Sequence, residues 1–288
     1  MYFRFWGTRG SIPVPGNATI KYGGNTPCIE LRTDNNRLII LDAGSGLREF
    51  GKHLASTGRD KKIDIFVSHY HWDHIQGIPF FLPLYRKGNE ITFYGETSDG
   101  KRVEQILSDQ MAFNYFPIKI GEMSAHTSFK EIIPDCTYNF DNFKVETFRA
   151  NHSSPTISFR ITEGDKCLVY MTDNELKLKD SIHTSASDIL EMNKAMVEFV
   201  SGCDYLIHDS MYDETSVIEK KGWGHSCNVT LAYFSILAKV KNIILFHYNP
   251  DFTDSKIDEQ LNDTLAVFKK EKSSINCIAS HEGLSIIF

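Results

Sequence analysis

The stretch SHYHWDHIQG, residues 68–77, places His69, His71, Asp73 and His74 within six consecutive positions. Side chains of these types, so concentrated, hold divalent cations. Imidazole suits Zn²⁺, and the added carboxylate widens the choice to Mn²⁺ or Fe²⁺. A core would need each of these groups neutralised and hydrogen-bonded. At this histidine content H-x-H-x-D-H arises by chance in roughly one chain per thousand. Alternation along an extended segment sets His69, His71 and Asp73 on one side, and a turn before IQGIPFF brings His74 round. Four ligands this close exceed what one tetrahedral ion with an open position requires, so a pair of ions is expected. Two ions need more donors, and the chain offers His152 in RANHSSP, Asp173 in YMTDNE and His247 in LFHYNP.

The elements that must position these residues can be read from short β-branched runs alternating with helix-like text. Strands are expected at PCIELRT, RLIILDA, DIFVSH, EITFYG, FKVETFRA, TISFRIT, KCLVYMTD, DYLIHDS and NIILFH. Helices are expected at KRVEQILSDQ, SDILEMNKAMVEFV, NVTLAYFSILAKV and SKIDEQLNDTLAVFKKE. In the last of these Ile257, Leu261, Leu265 and Phe268 mark the buried face, with Asp254 or Ser255 as cap. Between Asp173 and Asp209 the text reads as a linker plus one amphipathic helix. Such alternation predicts a single α/β domain over residues 1–288, its buried sheets flanked by helices. Four of the apolar strands run into His69, Asp173, Asp209 and His247. Rigid strands with converging loops at their ends are where such folds place their sites.

The bulk properties narrow the classes. Hydrophobic residues make up 41% of the 288 and charged residues 24%, as in ordinary globular proteins. Net charge is −6 with no basic tract, which disfavours a long nucleic acid as partner and leaves a small anion gathered by a local positive site. The N-terminal MYFRFWGTRG has no signal-peptide pattern, and no apolar run is long enough to span a bilayer. The six cysteines are scattered without a C-x-x-C pair, several in strand-like text such as KCLVYM and NCIAS, and are expected to be reduced core residues. A cytoplasmic protein without membrane partners is the expectation.

HYHWDH followed in order by RANH, YMTD, GWGHS and LFHYNP resembles the metallo-β-lactamase superfamily, over nearly the whole chain. The resemblance implies an α/β fold, a four-layer αβ/βα metallo-β-lactamase sandwich with a dinuclear site. Carried over residue by residue, His69, His71 and His152 would hold one ion. Asp73, His74 and His247 would hold the other, with Asp173 bridging. Two divalent ions are thereby implied as cofactors, zinc by preference and manganese or iron as alternatives; Asp73 counts among the catalytic groups as well.

Several chemistries share this fold. Oxidoreductases of the fold carry a glutamate where this chain has His71, and zinc β-lactamases carry a cysteine where it has Asp173. FWGTRGSIPVPG and YGGNTPCIEL resemble the opening of phosphodiesterase branches, ribonuclease Z-type enzymes among them, with Gly7, Gly10 and Asn25 matched. LDAGSGLREFG resembles their second strand-end motif and makes Asp42 the group that orients a ligating imidazole. His225 in GWGHSCNVT resembles the extra histidine of those branches and is expected to protonate the leaving oxygen, oriented by Asp209. WGTRGSIP, GNTPC, QMAFNYFPIKI, IHDSMY, GWGHS and FHYNPDFTD together are similar to compact bacterial and phage enzymes that open 3′,5′-cyclic nucleotides. Many relatives have HDAQY where this chain has HDSMY, which leaves base preference open.

Hydrolysis of a small phosphodiester, a cyclic nucleotide first, is thus the expected function, with Tyr115, Phe116 and Trp223 as candidate base-stacking residues. The alternatives are tRNA 3′ processing, against which stand the acidic charge and the lack of a Gly/Pro-rich basic arm, and phosphoribosyl cyclic phosphate hydrolysis. A metal-loaded protein that binds a nucleotide without cleaving it is the alternative of another class. Relatives of this kind are often homodimers, and PFFLPLY would suit such an interface.

Overall fold

In YFRFWG every second side chain is buried, and the segment forms an opening strand, β1, Tyr2–Gly7. The structure, a computed structural model, describes residues 1–58, 60–179 and 185–288. After β1 come β2 Cys28–Arg32, β3 Leu38–Leu41, α1 Gly46–Thr57, β4 Lys62–Phe66, α2 Trp72–Ile75, β5 Glu90–Gly95, α3 Val103–Asp109 and β6 His126–Glu131. The chain continues with β7 Thr137–Asn139, β8 Lys144–Arg149, β9 Ile157–Glu163, β10 Lys166–Met171, α4 Ala186–Met192, α5 Lys194–Val200 and β11 Tyr205–Asp209. It ends with α6 Ser216–Glu219, α7 Asn228–Leu237, β12 Asn242–Phe246, α8 Asp254–Lys270, β13 Asn276–Ala279 and β14 Ser285–Ile287.

These elements form two units, one of residues 1–15, 23–134 and 281–288, the other of 16–22 and 135–280. Among the described residues each unit holds one seven-stranded sheet. In the first the order is β14-β1-β2-β3-β4-β5-β6. The pairs up to β2–β3 are antiparallel, and those from β3–β4 onward are parallel. In the second the order is β13-β12-β11-β10-β9-β8-β7. There β13 to β10 pair in parallel and the remainder antiparallel. Two mixed sheets with flanking helices are the α/β class expected from the sequence.

In each parallel block the inner strands are buried, and helices cover one face of them. In the first unit Ile40, Ile65 and Phe93 pack with Leu47, Phe50 and Leu54 of α1. Helix α1 stops where Gly58, in the left-handed region, donates to Leu54 O at 2.9 Å. In the second unit Val169, Leu206, Ile243 and Leu245 pack with Leu231 and Phe234 of α7 and with Ile257 and Phe268 of α8. Five of the six cysteines are buried, and burial pushes the Cys227 thiol up to about 11. Cys136 is only half-buried, short of the core role expected for all six. No helix among the described residues is long and apolar enough to cross a membrane.

All nine expected strands form; β1, β6, β7, β13 and β14 come in addition among the described residues. The single amphipathic helix expected before Asp209 is two, α4 and α5, divided at Asn193. The Asn193 side chain accepts from Lys177 N–H at 2.8 Å and donates to Lys177 O and Ile189 O, which draws the backbone out of helical geometry. Residues 180–184 of the expected linker lie outside the described residues. Helix α8 is capped by Thr253, whose side chain accepts from Lys256 N–H, in place of Asp254 or Ser255. Its buried face includes Gln260 and Thr264, while Leu265 is exposed.

Candidate functional site

The carboxyl ends of the parallel strands carry the polar residues picked out by type and spacing. Asp42 follows β3, and Ser68 and His69 follow the adjacent β4. In the other unit Asp173 follows β10, Asp209 ends β11 and His247 follows β12, three neighbouring strands in register. Chain direction thus brings their side chains to one sheet edge, the usual ligand edge of such sheets. Asp42, Asp173 and His247 have φ of 59°, 45° and 59°, left-handed values that most side chains avoid.

In the first unit one buried carboxylate organises two imidazoles. Asp42 Oδ1 accepts from Ser68 N–H at 2.7 Å, and Oδ2 accepts from Ser68 Oγ–H at 2.8 Å. The His74 Nδ1–H donates to the same Oδ2 at 2.7 Å. Ser68 Oγ in turn accepts from His69 Nδ1–H at 3.1 Å. Both rings are thereby fixed with the proton on Nδ1 and the lone pair on Nε2, the tautomer a metal ligand needs. His74 Nε2 lies 3.2 Å from Asp73 Oδ2, and Asp73 also accepts from Ser11 N–H at 2.7 Å. His69 and His71 face each other edge to plane, ring centres 4.5 Å apart, with His71 exposed. The extended geometry expected for 69–73 holds only to His71. From Trp72 the chain turns helically, with His74 N–H donating to His71 O at 3.0 Å, and this turn sets Asp73 and His74 side by side.

In the second unit Asp173 has imidazoles on both oxygens. His247 Nε2 lies 3.2 Å from Oδ1 and His152 Nε2 lies 3.6 Å from Oδ2. His152 is fixed from behind, its Nδ1–H donating to Gly224 O at 3.0 Å. Asp173, His225 and His247 bring one donor atom each within 4.8 Å of one another. Asp209 is fully buried; its Oδ1 accepts from Met211 and Ser226 N–H, and its Oδ2 accepts from His225 Nδ1–H at 2.5 Å. His225 stacks on His247 at 5.2 Å between ring centres.

This donor set fits divalent ions. At His74–Asp73 and His152–Asp173 an imidazole lone pair faces a carboxylate oxygen at 3.2 and 3.6 Å. Two acceptors so placed repel, and a cation between them converts the repulsion into coordination.

The predicted site residues are therefore grouped as follows. The first unit brings together Asp42, His69, His71, Asp73 and His74, and the second His152, Asp173, Asp209, His225 and His247. Among the described residues the stacking candidates make no hydrogen bond or ring contact with these groups, although Trp223 lies in the turn just before His225. Phe116 packs partly into the first unit's core, edge-on to Phe80 at 5.5 Å, while Tyr115 and Trp223 are exposed. Lys220 lies over the Trp223 ring at 5.8 Å. Sequence reading missed Ser68, the relay between His69 and Asp42, and Asn174. The Asn174 side chain accepts from Asn151 N–H at 2.9 Å and donates to His208 Nε2 at 3.2 Å. Each is adjacent to a predicted ligand, the only signal available.

The family model described as "Beta-lactamase superfamily domain" matches residues 37–248. A protein named ribonuclease Z from Picrophilus torridus is 26% identical over 302 aligned positions, covering 92% of this chain and 90% of that protein. Among solved structures, the metallo-beta-lactamase fold protein YhfI from Bacillus subtilis superposes with a TM-score of 0.71 at 17% identity, over 99% of this chain and 98% of that one. Human tRNase Z, short form, gives 0.63 at 19% identity, over 100% and 99% of the two chains. The fold is thus that of the metallo-β-lactamase proteins. These relatives also correct one expectation. The net charge of −6 disfavours a long nucleic acid partner, yet proteins named ribonuclease Z and tRNase Z align over nine-tenths or more of the chain. Net charge sums the whole surface and does not report the local field of a site.

Proposed function

The chain belongs to the beta-lactamase superfamily and is a metal-dependent hydrolase acting on phosphodiester bonds, and we propose that its substrate is an RNA, cleaved with His225 as general acid. The observation that carries this is the buried Asp209–His225 pair, 2.5 Å between Oδ2 and Nδ1, set against His152 and His247. The substrate class is supported by the ribonuclease Z relatives.

By the family's motif order, His69, His71 and His152 would hold one ion, Asp73, His74 and His247 the other, and Asp173 both. When bound, such ions supply Lewis acidity, acidifying water and offsetting charge on the phosphoryl oxygens. The chain's own residues do the remainder. Asp42 and Ser68 keep His69 and His74 in the Nδ1–H tautomer. Asp209 fixes His225 through Nδ1, so the proton delivered to the leaving ribose oxygen comes from Nε2 as the P–O bond breaks. Water's oxygen ends on phosphorus and the leaving oxygen gains a proton.

A second reading, opening of 3′,5′-cyclic nucleotides, is favoured by WGTRGSIP, GNTPC and FHYNPDFTD, which resemble that branch. The test is a turnover panel on metal-reconstituted protein: precursor tRNA, short single-stranded RNA and cyclic mononucleotides of four bases. Cleavage of the RNAs at defined positions supports the proposal. Rapid opening of cyclic mononucleotides with intact RNA refutes it in favour of the second reading.

A further inference from the structure

The carboxylate of Glu175 has no role in the chemistry described above, yet it occupies a junction of the second unit. Glu175 stands two residues after Asp173 and belongs to the same loop. Its backbone N–H donates to Asn151 O at 2.8 Å, and its carbonyl accepts from Asn151 Nδ2 at 2.9 Å, next to His152. Its side chain turns to a third loop. Gly222 N–H lies 2.9 Å from both Oε1 and Oε2, and Gly224 N–H donates to Oε2 at 2.9 Å.

Those two amides belong to the GWG turn, where Gly222 and Gly224 have φ of 88° and 87°. Left-handed glycines on either side of Trp223 aim both N–H groups inward, a concavity suited to an anion. The carbonyl of the same Gly224 holds His152 Nδ1–H at 3.0 Å, and His225 follows directly. One carboxylate thus holds the N–H of Gly224, the residue whose carbonyl fixes a proposed metal ligand and whose next neighbour is the proposed acid.

We propose that Glu175 is a positioning residue that acts through the Gly222–Gly224 turn to hold His152 in its metal-binding tautomer and orientation. Two N–H donors converge on the group, so a carboxylate, with acceptors only, satisfies them. An amide would present its NH₂ to one of them. The inference rests on His152 being a ligand, as in the function proposed above.

The test compares Glu175→Ala and Glu175→Gln with the wild type, starting from metal-free protein. Zinc affinity is measured by competition with a chromophoric chelator, and the histidine ring N–H signals are followed by NMR. Glu175→Ala is expected to weaken one of the two zinc equivalents about 10- to 100-fold. It is also expected to speed exchange of the His152 Nδ1–H while the metal-free melting temperature stays near wild type. Glu175→Gln keeps one acceptor and should recover part of the affinity. Wild-type zinc binding in Glu175→Ala overturns the proposal. So does an equal loss of both equivalents in both variants with a matching fall in melting temperature, which marks a role in the fold at large. Failure of the wild type itself to bind zinc would instead sink the metal assignment, a different result from any variant-specific change.

Discussion

Gly222 and Gly224 offer a matched pair of substitutions that separates backbone strain from damage to the site. Their φ values are 88° and 87°, so alanine at either carries the cost of a left-handed conformation, about 1–2 kcal/mol. Their surroundings differ. A Cβ on Gly222 meets nothing within 4 Å, whereas on Gly224 it would lie 2.0 Å from His152 Nδ1. Ordinary contact begins near 3.4 Å, so the imidazole would have to retreat by roughly 1.4 Å. A displacement of about 1 Å at a reacting centre costs on the order of 100-fold in rate. Gly222→Ala should therefore lose stability in urea by about 1–2 kcal/mol and keep its zinc affinity and phosphodiesterase turnover. Gly224→Ala should lose similar stability, together with about 10- to 100-fold in zinc affinity and about 100-fold in turnover. Equal zinc affinities in the two variants would refute the reasoning, because strain would then be the whole effect.

His225→Ala is expected to lower turnover by about 10²- to 10⁴-fold while both zinc equivalents remain by metal analysis; full turnover would remove the acid role. Asp42→Asn keeps a residue that tolerates φ of 59° but turns an NH₂ toward Ser68 or His74, so zinc affinity should fall about 10- to 100-fold by chelator competition. His208 is buried, its Nδ1–H donating to Asp209 O at 2.8 Å and its Nε2 accepting from Asn174 Nδ2 at 3.2 Å, and burial holds its pKa below the usual value. Below pH ~6.5 the unfolded chain takes up this proton and the folded one does not. The group's contribution is thus whole above that pH. It declines on acidification by up to about 1.4 kcal/mol per pH unit until the folded pKa is reached. Urea titrations of wild type and His208→Gln at pH 7.5, 6 and 5 should show the wild type losing more, and parallel losses would contradict it.

The parallel strands β3, β4, β10, β11 and β12 were legible because each is a short apolar run that leads into a polar residue, as in NIILFH and KCLVYMTD. The proposed ligands were legible for the same reason. What escaped reading has identifiable causes. Helix α1 contains Gly46 and Gly51, which depress its helical signal, and β6, HTSFKE, has a mixed pattern at a sheet edge. In α8 the apolar period pointed to Leu265, but Gln260 is buried because its Nε2 donates to Ser210 O and Tyr212 O, bracing the loop after β11. Asn193 broke a helix through bonds to Lys177, distant partners that no local pattern encodes. Ser68 and Asn174 act through a neighbour's ring or a remote amide, so nothing in their types marked them.

The left-handed backbone at Asp42, Asp173 and His247 bears on how substitution scans of this protein should be interpreted. At those positions a score mixes two quantities, the loss of a functional group and the tolerance of the main chain for the incoming Cβ. Alanine is a poor blank there, because it removes the group and strains the backbone together. Asparagine removes the charge or the imidazole and accepts the conformation, so the gap between the asparagine and alanine scores isolates the main-chain share. Ranking substitutions in metal-free protein would give that share directly, with glycine and asparagine above valine and isoleucine although no chemistry is being read.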